Sequence, residues 1–377
     1  MKAGWEIKSL GKVIQLEYGK PLPPEYRNPN GMYPAYGANG EKDRTDKFYR
    51  DCPSIIVGRK GSAGEITLTE DRFWPLDVTY FVEFDRQRHD LKFLYYLLAT
   101  LDLPKLAKGV KPGINRNEVY SLPIAVPTRT EQQRIVAILD EAFEGIATAK
   151  ANAVKNIQNA RELFENYHQS VFSRGGEGWV DYRLGEIASF RNGINFTKQS
   201  KGRSVPIIGV KNFQNHLWAP LDDLDSVTLD GELSELDTLA EGDILSVRSN
   251  GNPELIGRCM LVGSLSEPIT HSGFTIRIRL HDGNTLPQYV CQFLKSRDVR
   301  RTLIDGGNGA NIRSLNQGTL SSVVIPLPPI EIQQRIINEI EAMHSKTAYL
   351  ADIASRKLAA LDELKKSLLH QAFTGQL

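Results

Sequence analysis

Apolar positions between residues 129 and 174 recur at steps of three and four: Ile135, Leu139, Ala142, Ile146, Ala149, Ala153, Ile157, Ala160, Phe164, Tyr167 and Val171. Between 329 and 377 the rhythm returns as Ile336, Ile340, Met343, Thr347, Leu350, Ala354, Leu358, Leu361, Leu364, Leu368 and Ala372. The period predicts two helices. A doubled step of four, around Ala153 and Ala354, occurs in both and marks one duplicated surface. At 1.5 Å per residue each helix would run roughly 60 Å. A stripe so long and narrow predicts a coiled-coil seam built on Ile135, Leu139, Ile146, Ile157 and Phe164 in the first helix. Its counterpart holds Ile336, Ile340, Met343, Leu350, Leu361 and Leu368. Small seam residues would let the axes approach closely, so the expectation is an antiparallel pair rather than two helices each lying along its own domain. Thr128-Arg129-Thr130-Glu131 has the form of a capping box and Pro328-Pro329 can open the second helix, while Gly175-Gly176 and Gly375 are plausible stops.

Outside these stretches the pattern changes to short apolar runs bounded by Gly, Pro and Asn. Residues 54–58 and 78–84 predict buried strands and 91–101 a short helix; 205–209, 243–247, 274–280 and a helix at 287–294 repeat the scheme. Sequence identity makes the repetition explicit. Ile124 to Ile135 returns as Ile325 to Ile336, displaced by 201 positions, with Gln-Gln-Arg-Ile identical in both. Trp5, Leu10, Gly11 and Gly19 match Trp179, Leu184, Gly185 and Gly193, displaced by 174. About 27 residues were therefore added inside the second copy. The predicted plan is α+β, a body and a helix written twice with pseudo-two-fold symmetry: bodies at 1–128 and 175–328, helical segments at 129–174 and 329–377.

A chain of 377 residues is long enough for two or three cores, which fits this plan. Its 46 basic and 45 acidic residues exclude a bulk polycation. Charge by segment is more informative. Each helical segment holds six basic and six acidic residues; the first body holds 19 and 16, the second 15 and 17. Nine of those 17 acids lie between Asp222 and Asp243 with no basic residue among them, and the expectation is a solvated acidic loop. Without that run the second body counts 15 basic against 8 acidic residues, which predicts a basic surface.

Basic residues in both bodies sit in loops beside glycine and small polar groups. Arg59, Lys60 and Ser62 follow one strand; Arg248, Ser249 and Asn250 follow its counterpart. Lys111, Asn115 and Arg116 form a second group, matched with Asn311 and Arg313, and Arg191, Asn195 and Lys211 join the candidates in the second body. Such loops let backbone amides and guanidinium groups approach phosphates, while Arg, Asn and Ser can read base edges. A solvated charged loop is the alternative for each residue taken singly.

Catalytic signatures are missing: no phosphate loop, no H-E-x-x-H, no G-x-S-x-G and no G-x-G-x-x-G after a strand. The histidines form no i, i+4 metal pair, and Cys52, Cys259 and Cys291 lie far apart, as suits a reducing compartment. Glu6-Ile7-Lys8 has the E-x-K form of some nucleases, but no Pro-Asp precedes it. The first residues lack an apolar signal and no long apolar stretch follows, so the chain is expected to be soluble and cytoplasmic.

Taken together, the Ile325-Pro-Leu-Pro-Pro stretch, the Gln-Gln-Arg-Ile helix starts, the Ala372-Phe-Thr-Gly-Gln-Leu377 ending and the paired Trp-x-x-x-x-Leu-Gly resemble the specificity subunits of type I restriction-modification systems. The resemblance covers essentially the whole chain. It departs at Thr128 to Thr130, where the second copy has the usual prolines. It implies two target-recognition domains, each reading half of an asymmetric bipartite site in double-stranded DNA, with the helix pair fixing the gap. It also implies two modification subunits as partners, with restriction subunits beside them, no membrane, and no catalysis in this chain. S-adenosylmethionine, ATP and Mg would belong to the partner subunits, and no cofactor to this one. The competing readings are a stand-alone DNA-binding adaptor or regulator without methylase partners, and a nuclease.

Overall fold

A computed structural model describes residues 4–173, 175–196, 200, 202–214, 216–281, 283–306 and 313–377. The chain divides into two units: residues 1–154 with 355–377, and residues 155–354. Each unit holds one body and stretches of both long helices.

In the first body the elements run β1 (Glu6–Ser9), β2 (Ile14–Tyr18), β3 (Tyr33–Gly37), β4 (Gly40–Thr45), β5 (Ser54–Gly58), β6 (Ile66–Thr69), β7 (Trp74–Pro75) and β8 (Thr79–Phe84). There follow α1 (Leu91–Thr100), α2 (Arg116–Tyr120), β9 (Pro123–Val126) and the long α3 (Arg129–Phe172). They build a four-stranded sheet in the order β2-β8-β5-β6, a three-stranded sheet β4-β3-β7 and an antiparallel pair β1-β9. The core forms around Leu10, Ile14, Leu16, Ile55, Phe93 and Leu98, roofed by α1, whose N-cap Asp90 accepts from the amides of Lys92 and Phe93.

The second body repeats this with β10 (Val180–Arg183), α4 (Leu184–Ile187), β11 (Ala188–Asn192), β12 (Ser204–Ile208), β13 (Asp225–Thr228), β14 (Ile244–Val247) and β15 (Ser249–Asn250). It continues through β16 (Cys259–Leu261), β17 (Thr270–His271), β18 (Thr275–Leu280), α5 (Pro287–Lys295), α6 (Arg297–Asp305), β19 (Arg313–Ser314), α7 (Gln317–Ser321), β20 (Val324–Leu327) and α8 (Ile330–Thr374). The sheets β11-β18-β14-β16 and β13-β12-β17 and the pair β10-β20 reproduce the first body's connectivity strand for strand, and β15-β19 is added.

The repeated residues now acquire reasons. A Cβ on Gly19 would lie 2.1 Å from the Leu76 carbonyl oxygen, and one on Gly193 would lie 2.2 Å from those of His271 and Ser272. Two strands approach there so closely that only glycine fits. Gly11 and Gly185 are likewise pressed by Tyr120 of α2 and Ser321 of α7. The glutamine of the Gln-Gln-Arg-Ile motif is a buried clamp. Gln132 donates to the Pro127 carbonyl at 2.9 Å and accepts from the Asp90 amide at 2.9 Å. Gln333 donates to Pro328 and accepts from the Leu286 amide at the same distances. Each clamp fastens the start of a long helix to the start of the helix that roofs its body.

The helices run antiparallel within each unit. In the first, Arg134 donates to the Leu377 carbonyl at 2.7 Å and Lys150 pairs with Asp362 at 2.6 Å, so partner numbers fall as α3 advances. In the second, Phe164 meets the His344 ring at 5.1 Å and the Tyr167 hydroxyl donates to Glu339 at 3.0 Å. The stripe also serves the bodies. Ile135 and Leu139 of α3 lie in the first core together with Ala372 of α8; Ile336 and Ile340 of α8 lie in the second core together with Val171 and Phe172 of α3. Of the remaining predicted seam positions Ile146 is buried, Ile157, Phe164, Met343, Leu361 and Leu368 are partly covered, and Leu350 is 51% exposed. Two successive steps of four carry the stripe about 80° around the helix, so a side chain beside the stutter can leave the covered face. The expected capping box is loose: the Glu131 amide reaches Thr128 Oγ1 only at 3.5 Å, while the Glu131 carboxylate holds Arg134 at 2.8 Å.

Candidate nucleic-acid interface

In the first unit the chain leaves β5 through Arg59 to Gly64, with Gly61 and Gly64 at positive φ. The two loops expected from sequence as separate groups meet here. Gly61 donates to the Pro112 carbonyl at 2.9 Å and Ile114 donates to the Arg59 carbonyl at 3.1 Å. Lys60, Ser62 and Lys111 are exposed along this junction. Asn115 has a local duty, capping α2 by accepting from the Asn117 amide at 2.9 Å.

Sequence reasoning missed the residue at the centre, Tyr18. The residue is 47% exposed, with the guanidinium of Arg59 5.3 Å from its ring centroid and that of Arg116 5.1 Å away. Arg59 is steadied by donating to the Asp77 carbonyl at 2.7 Å. Beneath lies Tyr80, centroid to centroid 5.1 Å, its hydroxyl pKa pushed up to about 12 first by burial and then by Tyr18. Among the described residues neither guanidinium has a carboxylate in ion-pair range. A detectable signal was present, because Tyr18 precedes the duplicated Gly19.

The second unit builds the same junction. Leu315 donates to the Arg248 carbonyl at 2.8 Å, and β15 pairs with β19 through Ser249 opposite Ser314 and Asn250 opposite Arg313. The Arg248 guanidinium donates to the Gly273 carbonyl at 3.3 Å, as Arg59 does to Asp77. The Asn250 side chain accepts from the Asn252 amide at 2.9 Å, a turn role. Asn195 is exposed, apart from β15 and β19 in sequence but beside Gly273, where a Cβ would stand 2.2 Å from its Oδ1. Asn311 lies outside the described residues, and Arg313 contributes backbone. The structural register pairs Asn115 with Asn316, the cap of α7, and Arg116 with Gln317.

The acidic run is largely solvated, with seven of its nine acidic residues exposed and only Asp237 and Asp243 covered. It also supplies β13, and three of its carboxylates hold cations of the same body: Asp237 pairs with Arg191 at 2.7 Å, Asp225 with Lys211 at 2.6 Å, and Asp243 with Arg279 through two bonds of 2.7 Å. Buried Arg277 donates to the Leu236 carbonyl at 2.8 Å. Arg191 and Lys211 are thus neutralised locally, and the basic surface inferred by subtracting the run is smaller than charge counting suggested. Desolvation explains the pairing of Arg191 and Arg279, since a partly buried cation on a sheet needs a counter-ion, whereas the Lys211–Asp225 pair is exposed.

The architecture is thus a duplicated α+β body with a cationic loop junction in each copy, joined to paired long helices. Residues 2–156 and 176–354 match the family described as type I restriction modification DNA specificity domain, and the chain belongs to that family. It is a type I restriction-modification specificity subunit, a recognition component without catalytic activity of its own. The EcoDI specificity subunit of Escherichia coli is 22% identical over 99% of this chain and 88% of its own length. That of EcoKI, from Escherichia coli strain K12, is 23% identical over 72% of this chain and 65% of its own. Among solved structures, a chain from a study of complex assembly and conformational transition of the type I R-M system superposes with a TM-score of 0.76 at 18% identity, covering 100% of this chain and 99% of that one. The HsdS subunit from Thermoanaerobacter tengcongensis gives 0.65 at 19% identity, covering 100% and 98%. Both likenesses concern the fold. No helix among the described residues is long and apolar enough to cross a membrane.

Proposed function

We propose that each body reads one half of a bipartite asymmetric site in double-stranded DNA, and that the paired helices set the unspecified gap and carry the modification subunits. Two modification subunits, which bring S-adenosylmethionine, would methylate adenine in each half. Restriction subunits, with ATP and Mg, would complete the cleaving complex in the cytoplasm, and this chain would bind no cofactor. The observation that carries the reading is the pair of equivalent loop junctions, one in each unit, each presenting a backbone-anchored arginine. Phosphate contacts from Lys60, Lys111 and their neighbours would fix register, and side chains at the junctions would read base edges. Methylome sequencing with and without the gene is the test. Loss of a single bipartite adenine motif is expected. Unchanged methylation, with tight binding of a defined site by the purified chain alone, would favour the stand-alone adaptor.

A further inference from the structure

We propose that positions 18 and 116 in the first unit, and the equivalent positions 192 and 317 in the second, read bases: Arg116 selects a guanine in one half-site and Gln317 an adenine in the other. The inference rests on the half-site reading above and names the residues that would perform it.

The equivalence follows from the backbone. Gly19 donates to the Thr79 carbonyl and Gly193 to that of Thr275, both at 3.1 Å, so Tyr18 and Asn192 occupy the same place at the ends of β2 and β11. Ile114 and Leu315 donate to the carbonyls of Arg59 and Arg248, and Asn115 and Asn316 then cap α2 and α7. Arg116 and Gln317 are therefore the same first helical residue. On each scaffold the two positions touch. The Arg116 guanidinium lies 5.1 Å from the Tyr18 ring centroid, and Gln317 Nε2 donates to Asn192 Oδ1 at 3.2 Å.

Everything that anchors the pair is kept between copies: the glycine, the arginine on a carbonyl, the asparagine cap. The contacting pair changes in kind, from cation on aromatic to amide on amide, and the residue paired with it in the sheet changes too, from Tyr80 to Ile276. A pair needed for folding alone would share the conservatism of its anchors. Variable chemistry on a constant mount is what two bodies reading different sequences require.

The chemistry also selects the bases. Arg116 makes one long bond, to the Leu16 carbonyl at 3.5 Å, and stacking fixes its plane. Its remaining N–H fork matches O6 and N7 of guanine. Arg59 beside it adds a second positive group over the same ring, an arrangement that favours an incoming acceptor. Gln317 spends one amide hydrogen on Asn192. It keeps the other and its Oε1, the donor and acceptor that adenine N7 and N6 demand.

The test uses the full chain produced with its modification subunits, with methylomes read for the wild type and for Arg116→Gln, Arg116→Lys and Gln317→Arg. Arg116→Gln installs the residue that the second copy tolerates at this helix start. Its expected effect is a loss of guanine preference by roughly 10- to 100-fold at one base of one half-site, with the other half-site unchanged. Arg116→Lys should relax the same base, and Gln317→Arg should alter an adenine in the opposite half. Uniformly weaker methylation with an intact motif, or full function of Arg116→Lys, would identify a phosphate contact and overturn the proposal. Should one variant fail to assemble, its partner in the other half-site decides. A wild type with no bipartite motif would remove the half-site reading itself.

Discussion

His271 is fully buried in β17, with Nδ1 2.9 Å from Thr275 Oγ1 and Nε2 without a partner among the described residues. Burial first, and then the neighbouring Arg277 cation, lower its pKa to about 4. An imidazole whose folded pKa lies below its unfolded value near 6.5 takes up a proton mainly on unfolding. Its contribution to stability is therefore whole above about pH 6.5 and declines as pH falls from there toward 4, by on the order of 3 kcal/mol. Thermal unfolding followed from pH 7 to pH 5 should show the second unit melting progressively lower, and His271→Asn should flatten that slope. A variant with the wild-type slope would remove His271 as the cause. At this scale legibility was uneven. Gln132 and Gln333 stood out as repeated letters, but their clamp was hidden because the partner amides, Asp90 and Leu286, differ in type and lie 42 and 47 positions away. Tyr18 was passed over for a related reason: its significance comes from Arg59 and Arg116, which only folding brings to its ring.

Among elements, a tight constraint common to both copies is the crossing of β2 with the segment after β7 and its duplicate at β11. Gly19→Ala and Gly193→Ala would each drive a methyl into backbone oxygens 2.1 to 2.2 Å away, and backbone cannot rotate aside as a side chain does. Each should destabilise its own unit by about 1–3 kcal/mol, seen as a drop of several degrees in one of two melting transitions with the other unmoved. A loss shared equally by both transitions would contradict the division into units. Helix and strand identities were well marked in the sequence, since the 3.6-residue stripe and the short apolar runs are local patterns. The fate of each stripe was not. Ile135 and Ile336 repeat with helical spacing whether they face a partner helix or a body, and the structure assigns them to the bodies. The ion pairs made by the acidic run were hidden for the same reason, because Asp237 and Arg191 are 46 residues apart and a charge count cannot see them meet.

For the molecule as a whole, duplication was legible, because the copies share short identical strings at fixed offsets, although Asn115 and Arg116 were matched with Asn311 and Arg313 where the structure aligns Asn316 and Gln317. The composition of the units was not, since residues 355–377 join the first and 155–172 the second. That exchange of helix ends has a consequence for heredity and assembly. Phe373 packs against Phe93 with ring centroids 5.2 Å apart, and Phe172 meets Tyr289 edge to face at 5.5 Å, so equivalent helix ends serve equivalent bodies. A half-length chain of residues 1–174 would carry a body lacking its lid and a lid lacking its body. Two such chains can satisfy each other, and sedimentation should find a homodimer reading an inverted repeat; a stable monomer would contradict this. A gene encoding one half would thus suffice for a working reader, and fusing two unlike halves would turn a palindromic address into an asymmetric one.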